Sequence, residues 1–354
     1  MARQLGTNQK GEIEFRKKLY LQQVVGQPIF DSEFDAAGIE RILDERMKKT
    51  SAQATLLRQR GIPLSPYVEI GAERCQRSLV MENDFGAHGA AVDISYDMLK
   101  SCDHYQHVFK QAKCPLRICC DAHNLPFMTD SIPFVFCYET LHHFPDPVSI
   151  TEEVHRVVAR GGYFFFDEEP YRQVLHVNLY RGSKVYSKDA LKRTRVRRIL
   201  DRFFCKMPCN EVEHGIIENH SIPLRLWKEA LAYFEEKDVE LRVPSSVQSK
   251  MFNPPSYFKY VAAFLLGGSI SGVCRKLGGD SRKRCEFIEN ALICPLCREK
   301  GKEVPVNREP SLLVCPGCSS TYPITDGVVF LFTHDKLAEL YPEMFSLSQA
   351  GKKE

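Results

Sequence analysis

Five short apolar runs, each stopped at its carboxyl end by a glycine or a polar acid-bearing turn, constrain this chain more than any other feature. Val68-Glu69-Ile70 stops at Gly71, Ala90-Ala91-Val92 at Asp93, and Leu116 to Cys120 at Asp121. Ile132 to Cys137 runs into Tyr138-Glu139, and Tyr163 to Phe166 ends at Asp167-Glu168-Glu169. Helical stretches are expected between them over 76–83, 96–110 and 148–159. Strands alternating with helices in this way predict an α/β fold, a doubly wound and mostly parallel sheet. In such sheets ligands sit beyond the carboxyl ends of the strands, where the strand order reverses. Gly71 lets the backbone approach a ligand with no Cβ in the way. Asp93 is placed to accept hydrogen bonds from two ribose hydroxyls. A dinucleotide would need a third glycine and a helix N-terminus for its pyrophosphate. Glu73 and Cys75 stand where later glycines would, which argues against that ligand.

The 354 residues suffice for two or three domains, and 44% hydrophobic residues can fill a substantial core. A net charge of +3 predicts no strong nucleic-acid field over the whole chain. Fourteen cysteines without a secretion-type N-terminus point to a reducing interior, so the expected location is the cytoplasm. The longest apolar run, Val261 to Cys274, carries three glycines and two serines and is too short to span a bilayer.

Two stretches carry a family resemblance. Asp121-Ala122-His123-Asn124-Leu125-Pro126-Phe127 follows the third run, and Leu141-His142-His143-Phe144-Pro145-Asp146-Pro147 follows the fourth. With the Gly71 turn and Asp93, this series resembles class I S-adenosylmethionine-dependent methyltransferases, especially those acting on small molecules. The resemblance implies a Rossmann-like sheet with an N-terminal helical cap over the cleft. It implies cofactor contacts from Glu69, Gly71, Ala72, Asp93, Ile94, Asp121, Ala122 and Tyr138, with Asp121 meeting the adenine amino group. It places His142, His143 and Glu139 where the acceptor sits, as candidates for a general base and acceptor contacts; Asp167, Glu168 and Glu169 are further candidates. Each has a plainer alternative: Asp121 can cap a turn, the His-His pair can start a helix, and Cys75 and Cys137 can be packing cysteines. The later Asn253-Pro254-Pro255-Ser256 follows the wrong strand for amino methylation and reads as a proline turn.

Cys294-Pro295-Leu296-Cys297 and Cys315-Pro316-Gly317-Cys318 are two C-x-x-C knuckles with 17 residues between them. That spacing is expected to form a closed tetrahedral zinc site, structural rather than catalytic, with iron as the competing ion and free thiols as the plain alternative. The following Tyr322-Pro323-Ile324-Thr325-Asp326-Gly327-Val328 is similar to the zinc-ribbon activator family that partners tRNA, rRNA and release-factor methyltransferases.

The expected domains are a helical cap (1–62), a methyltransferase domain (63–291) with a basic helical insertion (170–219), a zinc ribbon (292–332) and a C-terminal tail (333–354). The insertion is rich in Lys and Arg from Lys188 to Lys206, and a solvated helix face is the plain account of it. The functional alternatives are a phosphorylated or lipid-linked substrate, an anionic membrane surface and RNA. The expected function is methyl transfer from S-adenosylmethionine to a small-molecule or lipid/sugar-linked acceptor, with no transmembrane segment. RNA methylation, and a methyltransferase fold that binds without turnover, are the alternatives.

Overall fold

The computed structural model describes residues 2–27, 36–177, 179–181, 194, 200–201, 203–206, 221–243, 247–279 and 283–350. Most of the basic insertion falls outside these residues.

The five apolar runs are five strands, and their carboxyl ends meet. β1 (Tyr67–Ile70), β2 (Gly89–Asp93), β3 (Leu116–Cys119), β4 (Ile132–Tyr138) and β5 (Val158–Tyr171) lie parallel in the order β3-β2-β1-β4-β5. The order reverses between β1 and β4, so a crevice opens there. Beyond β5 the sheet continues through β10 (Gly268–Arg275), which is antiparallel to it, then β8 (Glu236–Val243) and β9 (Val247–Lys250). Val68, Ile70, Val92, Ile118, Val135, Phe164 and Phe166 are all buried in one core. A sheet covered on both faces needs such near-continuous apolar strands.

Two helices, α1 (Ala2–Gln23) and α2 (Ala36–Gln59), precede β1. Ile39, Leu43, Met47, Ala54 and Leu57 of α2 are buried at helical spacing. α3 (Gln76–Asp84) follows β1, and α6 (Pro147–Val157) follows β4. The expected 96–110 helix is broken into α4 (Tyr96–Lys100) and α5 (Cys102–Val108), with Ser101 closing the first and opening the second. The apolar-patterned segment from Leu224 to Lys237 is helical only over α7 (Leu224–Ala230). A turn follows it and buries Leu231 and Phe234, whose packing decides over the continuing helical pattern. α8 (Tyr257–Leu266) leads into β10.

The cysteine-rich segment is not a separate bead. α9 (Pro295–Glu299) starts at the first knuckle, and β11 (Asn307–Arg308), β12 (Leu312–Val314), β13 (Thr321–Thr325) and β14 (Val328–Phe330) follow. β14 pairs parallel with β3, Val328 opposite Arg117 and Phe330 opposite Cys119. The main sheet therefore runs on into the ribbon, twelve strands among the described residues. Residues 334–350 form α10 (His334–Leu340) and α11 (Pro342–Ala350), which bury Leu337, Leu340, Tyr341 and Met344. The Tyr341 hydroxyl donates to the Ile94 carbonyl (2.7 Å) and accepts from the Tyr96 N–H (3.0 Å). No helix among the described residues is long and apolar enough to cross a membrane.

Candidate active site and metal centre

A cavity of about 310 Å³ lies over the strand ends, with α1 and α2 closing one side. Its floor begins at Gly71. Both Gly71 and Ala72 donate their N–H groups to the Val92 carbonyl (2.9 and 3.0 Å), which ties the β1 and β2 ends together. Gly71 has φ +69°, and a Cβ there would stand 2.4 Å from the Thr140 hydroxyl oxygen, so only glycine fits. The next turn keeps left-handed backbone at Glu73 (φ 46°) and Cys75 (φ 58°), the two places where later glycines were missed. The glycine-type path survives because tertiary contacts hold it. Glu73 donates its N–H to Asp93 Oδ2 (2.9 Å), and its carboxylate is clamped by Arg16 (2.6 Å) and Arg46 (3.0 Å). Burial alone would push the Glu73 carboxyl up, but Arg16, Arg46 and Arg74 outweigh it and hold it well below the ordinary range.

Asp93 also accepts from the Ser95 N–H (2.8 Å). Burial nevertheless raises its pKa to about 6, against those backbone donors and Arg16. Asp121 accepts from the His123 N–H (2.9 Å) and ring Nδ1 (2.8 Å) and from Gln9 of α1 (2.8 Å). For this carboxyl, burial works upward, yet His123 and Gln9 prevail and bring it down to about 2. The plain role, capping the short turn 122–124, is thus present; the second carboxylate oxygen faces α1.

The β4 end carries the candidate acceptor contacts. Tyr138 donates to Gln53 Oε1 (2.8 Å), and the Arg77 guanidinium lies 4.1 Å over its ring. Glu139 adopts φ 47° and pairs with Arg46 at 3.1 Å. Burial raises its pKa, with Arg46 opposing. Glu169, fully buried on β5, accepts from the N–H groups of Thr140, Leu141 and His142 at 2.7, 2.9 and 3.2 Å. It also meets His142 Nδ1 at 3.0 Å. With its other neighbours all donating, Glu169 accepts the Nδ1–H, which fixes the ring's orientation. His143 stacks beside it, ring centroids 4.3 Å apart.

Of the sequence-expected residues, Gly71, Asp93, Ile94, Asp121, Ala122, Tyr138, Glu139, His142 and His143 all line this cavity. Glu69 and Ala72 are not among its lining residues. Glu69 turns towards α3 instead, accepting from the N–H (3.0 Å) and hydroxyl (2.6 Å) of Ser78 in the first turn of that helix. Desolvation pushes its carboxyl up to about 7. Asp167 and Glu168 are tied to Lys49 of α2 at 3.1 and 2.6 Å. Sequence reasoning missed Gln9, Glu12, Arg16, Arg46 and Arg77, which line the cavity from helices without a motif. Arg77 is buried at the cavity wall, its guanidinium stacked over the Tyr138 ring.

The second centre is in the ribbon. The sulfur atoms of Cys294, Cys297, Cys315 and Cys318 all lie within 4.8 Å of one another. Cys294 and Cys318 are 3.6 Å apart and Cys297 and Cys315 3.7 Å. Tetrahedral zinc with Zn–S bonds of about 2.3 Å requires S···S spacings of about 3.8 Å, so the four thiols fit that ion. Tyr322 and Ser320 hydroxyls stand 2.9 and 3.1 Å from Cys294 and Cys318 and serve as outer hydrogen-bond partners.

The strand order, the switch-point crevice and the acids at the β2 and β3 ends define a methyltransferase fold. Residues 68–166 match the family model described as a methyltransferase domain. That match covers the strands β1 to β4 and most of β5, the part of the chain that builds the cavity floor. Solved structures that resemble it include a chain of the complex between the Haloferax volcanii Trm112 methyltransferase activator and a methyltransferase. That likeness is 17% identical, covers 69% of this chain and 96% of that one, and has a TM-score of 0.39. Haemonchus contortus phosphoethanolamine N-methyltransferase 2, solved with S-adenosyl-L-methionine, is 14% identical over 75% of this chain and 60% of its own, TM-score 0.43. The PH0226 protein of Pyrococcus horikoshii is 15% identical over 66% and 91%, TM-score 0.40. No curated protein matches the sequence.

Proposed function

We propose that the chain transfers a methyl group from S-adenosylmethionine to a small-molecule or lipid/sugar-linked acceptor by in-line displacement. The observation that carries this is the convergence of Gly71, Asp93, Asp121 and the His142–Glu169 pair on one cavity. Bound there, the cofactor supplies an activated electrophilic methyl group, so the protein's task is chiefly to position the acceptor. Asp93 holds ribose hydroxyls and Asp121 the adenine amino group, with Gly71 and the turn after it cradling the rest of the nucleoside. Arg77 and the Arg16 side of the cap meet the cofactor's carboxylate. His142 Nε2 takes the proton from an acceptor hydroxyl, and Glu169 stabilises the imidazolium that forms. Glu139 and His143 orient the acceptor. α1 and α2 exclude water from the cleft. The four cysteines hold a structural zinc in a ribbon resembling the activator family, acting in the same chain through the β14–β3 pairing.

A fold that binds without turnover was suggested by the missing glycines, and the retained left-handed turn at Glu73 and Cys75 weighs against it. The deciding experiment is isothermal titration of the zinc-loaded protein with S-adenosylmethionine and S-adenosylhomocysteine. Saturable binding weakened by Asp93→Ala about tenfold or more, the worth of a lost charge-assisted hydrogen bond, is expected. Folded protein that binds neither ligand overturns the proposal.

A further inference from the structure

Two side chains from the C-terminal helices reach the acids of the cleft without lining the cavity themselves. Tyr341, at the joint between α10 and α11, is 3% exposed. Its hydroxyl holds both peptide groups of Ser95, donating to the Ile94 carbonyl at 2.7 Å and accepting from the Tyr96 N–H at 3.0 Å. The Ile94 carbonyl and the Ser95 N–H belong to one peptide plane, and that N–H donates to Asp93 Oδ1 at 2.8 Å. A peptide is planar, so fixing its oxygen aims its N–H. Tyr341 therefore sets the donor that orients the Asp93 carboxylate. The Cys119 thiol also reaches the Ile94 carbonyl (3.3 Å), but a thiol is the weaker donor. The Tyr341 ring is itself placed by the ribbon, with ring centroids 5.4 Å from Phe330 of β14 and 6.0 Å from Phe332.

The second link runs to Asp121. Lys336 of α10 donates to Gln9 Oε1 at 2.9 Å, and Gln9 Nε2 donates to Asp121 Oδ2 at 2.8 Å. His123 takes the other carboxylate oxygen, Oδ1. An ammonium only donates and a carboxylate only accepts, so the Gln9 amide between them has one orientation, oxygen towards Lys336 and nitrogen towards Asp121. Lys336 thus fixes the amide on the cavity side of α1, where Gln9 is a lining residue. Both acids at the β2 and β3 ends are steadied from one short stretch, 336–341.

We propose that Tyr341 and Lys336 are positioning residues for the cofactor, Tyr341 through the peptide that donates to Asp93 and Lys336 through the Gln9 amide that faces Asp121. The inference rests on the reading that these two acids hold the nucleoside. The test is isothermal titration of the full, zinc-loaded chain with S-adenosylhomocysteine, comparing Tyr341→Phe and Lys336→Met with the parent. Each variant removes the polar end and keeps most of the side chain's bulk, and an unchanged melting temperature checks the fold. Each should weaken binding about three- to tenfold, the worth of one hydrogen bond. Lys336→Arg keeps a donor and should recover most of its loss. A packing role and a positioning role separate in the Asp93→Ala background. There Tyr341→Phe should cost no further affinity, whereas Lys336→Met should keep its full effect. A folded parent that binds no S-adenosylhomocysteine overturns the cofactor reading and this inference with it. Binding by the parent that both single variants leave unchanged overturns the inference alone. So does a Tyr341→Phe loss that adds in full to that of Asp93→Ala.

Discussion

The turn after β1 and the cysteine knuckles of the ribbon solve the same problem, holding a backbone in an unusual path, by opposite means. At the knuckles the path is local: Cys294 accepts from the Cys297 N–H at 3.3 Å, and the four sulfur atoms lie within 4.8 Å of one another. At the β1 turn the path is imposed from outside. Glu73 and Cys75 adopt a conformation that costs a non-glycine residue roughly 1–3 kcal/mol. They keep it because Asp93, Arg16 and Arg46 reach in from β2, α1 and α2. The first device is built from residues close in sequence; the second needs its neighbours from other elements.

The largest effect expected is on the ribbon. Removing zinc with a chelator, or replacing Cys315 by Ser, withdraws a term of about 10–16 kcal/mol in isolated zinc modules. Release of one zinc per chain together with new protease cleavage between residues 292 and 332 is expected. Protection that persists without metal would show that the pairing of β14 with β3 suffices to hold the module.

Gly71→Ala tests the β1 turn. Left-handed strain and the clash with Thr140 together predict a loss of about 2–5 kcal/mol in urea unfolding. Thr140→Ala in the same chain should return the steric part of that loss. Equal losses in the two backgrounds would mean that the close approach to Thr140 contributes nothing.

The smallest effect is a pH slope at Asp93. Its folded pKa of about 6 lies above the ordinary 3.8, so its favourable contribution is complete below about pH 4 and is lost as pH rises through 6. Relative to Asp93→Asn, the protein should lose up to about 3 kcal/mol of stability between pH 4 and pH 7. Ligand hydroxyls favour the ionised form, so cofactor affinity should rise over the same interval. A flat difference between the two proteins would place Asp93 in solvent, outside the buried network.

Much of this was legible in advance where chemistry is carried by neighbours in sequence. Each of the first three strands announced itself by an apolar run with a Gly or Asp stop, and those stops line the cleft as Gly71, Asp93 and Asp121. The helix ends were less legible. The apolar pattern after Ala230 continues, yet the helix ends there and Leu231 and Phe234 are buried in the turn that follows. The cap residues were not legible at all. Arg16 and Arg46 sit on charged helix faces like many others, and nothing in their spacing says that Glu73 will meet them.

The sequence by itself determined the strand series, the four-thiol centre and the acids at the strand ends, because each depends on residues a few positions apart. Tertiary structure decided that Glu73 and Cys75 stand in for glycines, that Glu169 orients His142, and that the ribbon extends the sheet at β3. Those outcomes rest on hydrogen bonds and ion pairs between elements tens to hundreds of residues apart, and such partners exist only once the sheet has brought them together.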